Sequence, residues 1–284
     1  MDGAKAFALP TKYGQCLFVK DSSTTGNQIS WKALKHDNSV WFEAIFQLDS
    51  LDIISTTNEK LSASLQTILK AAQSLNPDIY STYKSFIIET KLEYPQEWGL
   101  GSSSTLIDLI SQWNQINPFR LNQLTFKTSG YDIACAHHNK PLLFSNQPQI
   151  QVEELDLNWD FKDQLFFVYL NQKQDTQAVV GNHYKNKPKD LEMIRELFDL
   201  VTEATKVNSL FDLEDILDKY QNRLGQFMQI EKPKDLYFSD YKGVVKSLGA
   251  WGGDFVLVTY RDGMEDYFKA KGYDTIIPFT EMIL

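Results

Sequence analysis

The sequence predicts an α+β fold in two parts, and three observations carry that expectation. Near the start, ISWKAL (Ile29–Leu34) and VWFEAIFQL (Val40–Leu48) alternate apolar and polar residues, as half-buried strands do. Asn58–Leu75 instead places Leu61, Leu65, Ile68, Leu69 and Ala72 on one face of a helix. The second half reads strand–helix–helix–strand–strand–helix–strand, an order that belongs to α+β layers.

Taken in order, Ala4–Pro10 reads as a short turn and Tyr13–Lys20 as a strand. Thr24–Gln28 is a turn, and the two alternating runs come next, separated by Lys35–Ser39; an antiparallel meander is the simplest account. The helix of Asn58–Leu75 is stopped by Asn76–Asp78. Tyr83–Tyr94 is β-rich and runs into Glu97–Thr105 (EWGLGSSST), which opens a helix over Leu106–Trp113. Asn117–Phe126 leads to a polar TSG turn, Asp132, the small-residue run IACA and a strand, PLLF. The polar, acidic stretch Gln147–Asp163 reads as the link between halves, so the division expected is 1–155 and 156–284. The second half opens on a buried-type strand, Gln164–Leu170. Helices are expected near Lys189–Thr205, Leu213–Gln229 and Met264–Lys271, and Thr275–Phe279 is the last strand.

Composition narrows the functions available. With 284 residues and 43% hydrophobic content the chain can bury proper cores, and 13% aromatics argue against disorder. A net charge of −9 offers no general basic face for nucleic acid. The two cysteines, Cys16 and Cys135, allow no disulfide framework, and the four histidines show no metal-ligand spacing. With no apolar run long enough to span a membrane and no signal peptide in view, the sequence reads as a soluble cytoplasmic protein.

The stretch with chemical content is the strand–turn–helix at Glu97–Thr105. A helix opened by a glycine turn leaves its first N–H groups without partners, and with the helix dipole these form an anion site. Gly99 and Gly101 admit positive φ, and Ser102, Ser103, Ser104 and Thr105 add hydroxyls for phosphate or metal. Neither G-x-x-x-x-G-K-[ST] nor G-x-G-x-x-G is present here.

GLGSSS (Gly99–Ser104) is similar to the second motif of the GHMP kinases, the family of galactokinase, homoserine kinase, mevalonate kinase and phosphomevalonate kinase. TSGYDIACA (Thr128–Ala136) resembles the S-G-x-D-x-A segment of the mevalonate and phosphomevalonate kinases. KSLGAWGGDF (Lys246–Phe255) resembles their third motif, K-x-x-G-A-G-G-G-D. The three occur in family order. The resemblance implies a ribosomal-protein-S5-domain-2-like N-terminal domain and a ferredoxin-like C-terminal one. It implies ATP and Mg2+ as cofactors and a small-molecule acceptor, mevalonate or phosphomevalonate first. Gly99, Leu100, Gly101, Ser102, Ser103 and Ser104 would cradle the nucleotide, with Ser103 at the metal. Asp132 would be the catalytic aspartate, and Ser129, Gly130, Gly249, Gly252 and Gly253 would lie on the acceptor side. The same resemblance admits a diphosphomevalonate decarboxylase-like enzyme or a non-catalytic binder on the same fold.

Four features depart from the family. Its opening motif is absent, and Asp2–Pro10 resembles the family sequence just downstream of that motif. The expectation is therefore a chain that begins inside the first domain and pairs with a second copy to cover an open sheet edge. No Asp or Glu falls between Asp108 and Asp132, Gln123 being the nearest polar stand-in for the family's glutamate. Trp251 replaces a glycine of the third motif, where an indole would fill or close part of a substrate pocket. Ser104 and Thr105 replace a small apolar pair. His137 and His138 read as ordinary polar residues near a strand start.

Overall fold

The computed structural model describes residues 4–22, 26–80, 84–172, 181, 187–249, 251 and 253–284. Its contacts divide the chain into two compact units that are not the sequence halves. One comprises Tyr13–Gln96 and Leu100–His137; the other comprises Met1–Lys12, Glu97–Gly99 and His138–Leu284. Strands and helices are numbered along the chain.

The unit built around Tyr13–Gln96 holds a five-stranded sheet ordered β2-β6-β3-β4-β5. Its strands are β2 (Gln15–Asp21), β3 (Gln28–Leu34), β4 (Val40–Gln47), β5 (Ile53–Thr56) and β6 (Phe86–Leu92). The meander expected from the sequence is interrupted: β6 lies between β2 and β3, antiparallel to the first and parallel to the second. Alternation sets the faces. Ile29, Trp31 and Ala33 of β3, Phe42, Ala44 and Phe46 of β4, and Phe86 and Ile88 of β6 all turn to one buried side. Helix α1 (Glu59–Leu75) covers that side with Leu65, Ile68, Leu69 and Ala72, and Asn58 caps it by accepting from the Leu61 N–H. Helices α2 (Ser102–Trp113), α3 (Pro118–Leu124) and α4 (Tyr131–His137) add Ile107, Ile110, Leu121 and Ile133 to the same core. Truncating a fully buried member such as Leu69 to alanine would cost about 2–5 kcal/mol. The small-residue run IACA proves helical, the middle of α4.

The other unit contains two sheets. A small one is ordered β1-β7-β8, from β1 (Ala6–Ala8), β7 (Leu142–Ser145) and β8 (Gln151–Glu154). The larger, wholly antiparallel in its pairings, is ordered β10-β11-β9-β12, from β9 (Leu165–Tyr169), β10 (Val245–Ser247), β11 (Phe255–Thr259) and β12 (Ile276–Pro278). Helices Leu191–Ala204 and Leu210–Met228 separate β9 from β10, and Met264–Ala270 separates β11 from β12. This is the split βαβ, ferredoxin-like arrangement. Its core gathers Val168, Phe238, Val245, Val256, Val258, Met264 and Phe268.

Candidate phosphate turn, aspartate helix and glycine hairpin

Within the first unit, α2 begins as a bare helix end. Its N-cap is Gly101 at φ 77, so no side chain occupies the cap. The Ser104 and Thr105 N–H groups fold back onto the Gly101 carbonyl at 2.9 and 3.0 Å. Those of Ser102 and Ser103 donate to no described residue and face outward with the helix dipole behind them. A Cβ at Gly101 would meet nothing within 4 Å, so the space beside the cap is open. Ser103 is exposed. Two flanking bonds fix the turn: the buried Tyr94 hydroxyl donates to the Leu100 carbonyl at 3.3 Å, and Thr105 Oγ1 donates to Gln15 Oε1 at 2.7 Å. Free N–H groups, hydroxyls and a positive dipole end make a donor set suited to a polyphosphate. The exposed Ser103 hydroxyl is a hard oxygen ligand of the kind Mg2+ accepts alongside phosphate and water.

Asp132 sits in the first turn of α4. Gly130, at φ 86, turns the chain into that helix, and the Tyr131 N–H donates to Ser129 Oγ at 3.3 Å, so Ser129 serves the helix start. Ahead of it the buried Asn122 grips Thr128 three times. Its amide donates to the Thr128 carbonyl at 3.1 Å, and its Oδ1 accepts from the Thr128 N–H and hydroxyl at 3.3 and 3.0 Å. The Asp132 side chain is exposed, yet the protein mass around it desolvates the carboxyl and raises its pKa. The exposure is what decides that a ligand can reach it. Cys135 behind it is pushed up to about 12 by burial and, secondly, by the Asp132 charge, so it is no thiolate nucleophile.

His137 is more than the ordinary polar residue the sequence suggested: it ends α4, and its Nδ1 lies 2.7 Å from Asp108 Oδ1. Asp108 is almost wholly buried on α2, and its other oxygen accepts from Gln112 Nε2 at 2.6 Å. The one hint of this in the sequence is an acid at a position that helical spacing puts on the buried side, between Ile107 and Ile110.

Within the second unit, the third motif forms the hairpin between β10 and β11. Gly249 is exposed at φ 54 and Gly253 is buried; Gly252 lies outside the described residues. Trp251 does not project into open space. It is buried, its Nε1 donates to the Glu231 carbonyl at 3.1 Å, and its ring lies against Gly225, where a Cβ would come within 3.3 Å of it. The indole therefore anchors the hairpin to helix Leu210–Met228.

Asp254, at φ 50, holds the hairpin's other side, its N–H on the Gln172 carbonyl and its carbonyl on the Leu170 N–H. Its carboxyl fills the place of the side chain Gly99 lacks, 2.4–2.6 Å from an ideal Cβ there. Glu97–Gly99 is further tied down by Trp98 edge-on to Phe255 at 5.4 Å and by the Tyr169 hydroxyl on the Glu97 carbonyl at 3.1 Å. Lys246 of β10 lies over the Tyr220 ring at 5.1 Å and donates to the Ser247 carbonyl; burial lowers its pKa to about 8. Among the described residues no three His, Cys, Asp or Glu side chains gather into a metal cage, and no helix is long and apolar enough to cross a membrane.

No protein-family model matches the chain, and no curated protein does. Solved structures do. The Methanococcus jannaschii mevalonate kinase is 18% identical with a TM-score of 0.66, over 97% of this chain and 91% of that one. The Streptococcus pneumoniae phosphomevalonate kinase, solved with phosphomevalonate and AMPPNP, is 13% identical with a TM-score of 0.66, over 95% and 89%. The Lactococcus lactis galactokinase, complexed with galactose, is 14% identical with a TM-score of 0.61, over 95% and 84%. At these identities the likeness is one of fold: the chain has the two-domain α+β architecture of the GHMP kinases.

Proposed function

We propose that this protein is an ATP-dependent small-molecule kinase that phosphorylates a hydroxylated acid, with mevalonate or phosphomevalonate the first acceptors to try. The observation that carries the reading is the uncapped start of α2, where the Ser102 and Ser103 N–H groups, without a partner among the described residues, share a compact unit with an exposed aspartate, Asp132. The N–H groups of Ser102 and Ser103 would bind the β- and γ-phosphates, with Leu100 and Ser104 completing the turn. Ser103 Oγ would ligate the magnesium ion, which screens the phosphate charge. Asp132 would take the proton of the acceptor hydroxyl as that oxygen bonds to the γ-phosphorus and the bond to the β–γ bridging oxygen breaks, releasing ADP. Ser129 and Gly130, just ahead of that aspartate in the same unit, would shape the acceptor side.

The mevalonate and phosphomevalonate kinases among the structural neighbours support this acceptor class, while the galactokinase shows that the fold also suits a sugar. The test is an ADP-release assay over mevalonate, phosphomevalonate and galactose, with Asp132→Asn beside the parent protein. Acceptor-dependent ADP release is expected, falling by roughly two powers of ten in the variant while calorimetric Mg-ATP binding persists. One observation favours a second reading, a binder without chemistry: the Asp254 carboxyl packed on Gly99 sets a negative group at the lead-in to the phosphate turn. ATP binding with no acceptor-dependent turnover would decide for that reading.

A further inference from the structure

Asp108 is costly where it stands. A carboxylate buried on the apolar side of α2, beside Ile107 and Ile110, gives up hydration that an alanine or leucine there would not. Its two oxygens show what it does. Oδ2 accepts from Gln112, four residues along the same helix, which only makes its burial tolerable. Oδ1 meets His137 Nδ1 at 2.7 Å and so reaches off α2 to the last turn of α4. A carboxylate can only accept, so His137 donates from Nδ1.

Helix α4 has seven residues, too few to hold itself by its own hydrogen bonds. Its seat comes from Ile133 and Ala134 in the core, from the Asn122 grip on Thr128 before its start, and from Asp108 at its end. Asp132 lies between those two anchors, in the first turn of the helix that His137 closes. A slide or rotation of α4 at His137 would carry Asp132 with it. Errors of about 1 Å in a reacting group cost of order a hundredfold in rate.

We propose that Asp108 and His137 are a positioning pair, through which α2 holds α4, and with it Asp132, in register for proton transfer. The inference rests on the reading of Asp132 as the base. In His137→Asn the amide nitrogen can take the place of Nδ1; in His137→Leu nothing can. For His137→Leu we expect amide exchange across 131–137 to quicken by about tenfold or more. Turnover should fall by about tenfold or more while Mg-ATP affinity by calorimetry stays within about twofold. His137→Asn should restore both. Unchanged exchange in His137→Leu overturns the clamp, whichever acceptor is turned over. Full turnover in His137→Leu, beside a dead Asp132→Asn, overturns the positioning role. If Asp132→Asn is itself fully active, the reading of the base fails instead, while the exchange result still reports on the clamp. Should His137→Leu not fold, His137→Ala serves in its place, since its methyl group offers Asp108 no donor.

Discussion

Gly99 and Gly101 share a left-handed backbone, at φ 68 and 77, but not a neighbourhood. Around Gly101 a Cβ meets open space, whereas at Gly99 it would collide with the Asp254 carboxyl. Gly101→Ala should therefore cost only the left-handed strain of an L-residue, about 1–2 kcal/mol. Gly99→Ala should cost that plus the displacement of Asp254, about 1 kcal/mol or more beyond it. Asp254→Gly removes the carboxyl and suits φ 50, so the Gly99/Asp254 double-mutant cycle in urea should return the excess as coupling energy. Equal losses at the two glycines, or no coupling, would mean that Asp254 yields freely. At this scale the sequence was legible where structure is local, as in the glycine turn that opens α2 at Ser102 and Ser103, but it did not announce the helix that carries Asp132. It was silent where two side chains meet across the fold. Asp108 and His137 are 29 positions apart, and Asp254 reaches Gly99 only once the third motif is folded into its hairpin.

The β10–β11 hairpin carries a pH signature of its own. Burial holds the Lys246 ammonium at about 8, against roughly 10.4 for a lysine in an unfolded chain. Between those values the unfolded state binds the proton that the folded state has released, so stability rises with pH; below about 8 the lysine is charged in both states and the penalty is constant. Tyr80, Tyr94, Tyr241 and Tyr267 have raised pKa values, chiefly through burial, and act in the opposite sense. They hold protons that the unfolded chain releases near pH 10, so stability falls again there. The expected outcome is an unfolding midpoint in urea that climbs from about pH 8 to about pH 9.5, with the climb flattened in Lys246→Met, which keeps an apolar chain over Tyr220. A slope identical in both proteins would assign the climb elsewhere. Elements themselves were largely readable, since α1 and the strands β3 and β4 arise from periodicity alone. The insertion of β6 between β2 and β3 was not, because parallel pairing with β3 joins segments separated by a whole helix and leaves no local mark.

For the whole molecule, the division at 155/156 looked natural because an acidic stretch lies there, but contacts ignore it. The chain passes from one unit to the other at 12/13, 96/97, 99/100 and 137/138. Residues 13–137 contain the complete five-stranded sheet, α1 to α4 and their core, with Glu97–Gly99 as a short excursion. Residues 1–155 add β1, β7 and β8 without the residues that cover them: Phe7 packs edge-on against Trp159, and Leu142, Leu143 and Phe144 are buried in the full chain. The fragment 13–137 is therefore expected to be monomeric and to unfold cooperatively in urea, while 1–155 exposes apolar strands and self-associates on a sizing column. A monomeric, cooperative 1–155 beside an unfolded 13–137 would restore the division the sequence suggested. The shorter fragment also isolates the phosphate turn. It keeps Tyr94, Ser102, Ser103 and Asp132 but loses Phe255, Tyr169 and Asp254, which fix Trp98, Glu97 and Gly99. Amides of 97–99 should then exchange rapidly while those of α2 stay protected, and Mg-ATP should bind more weakly than to the full chain, because the lead-in to the turn must be ordered at the moment of binding.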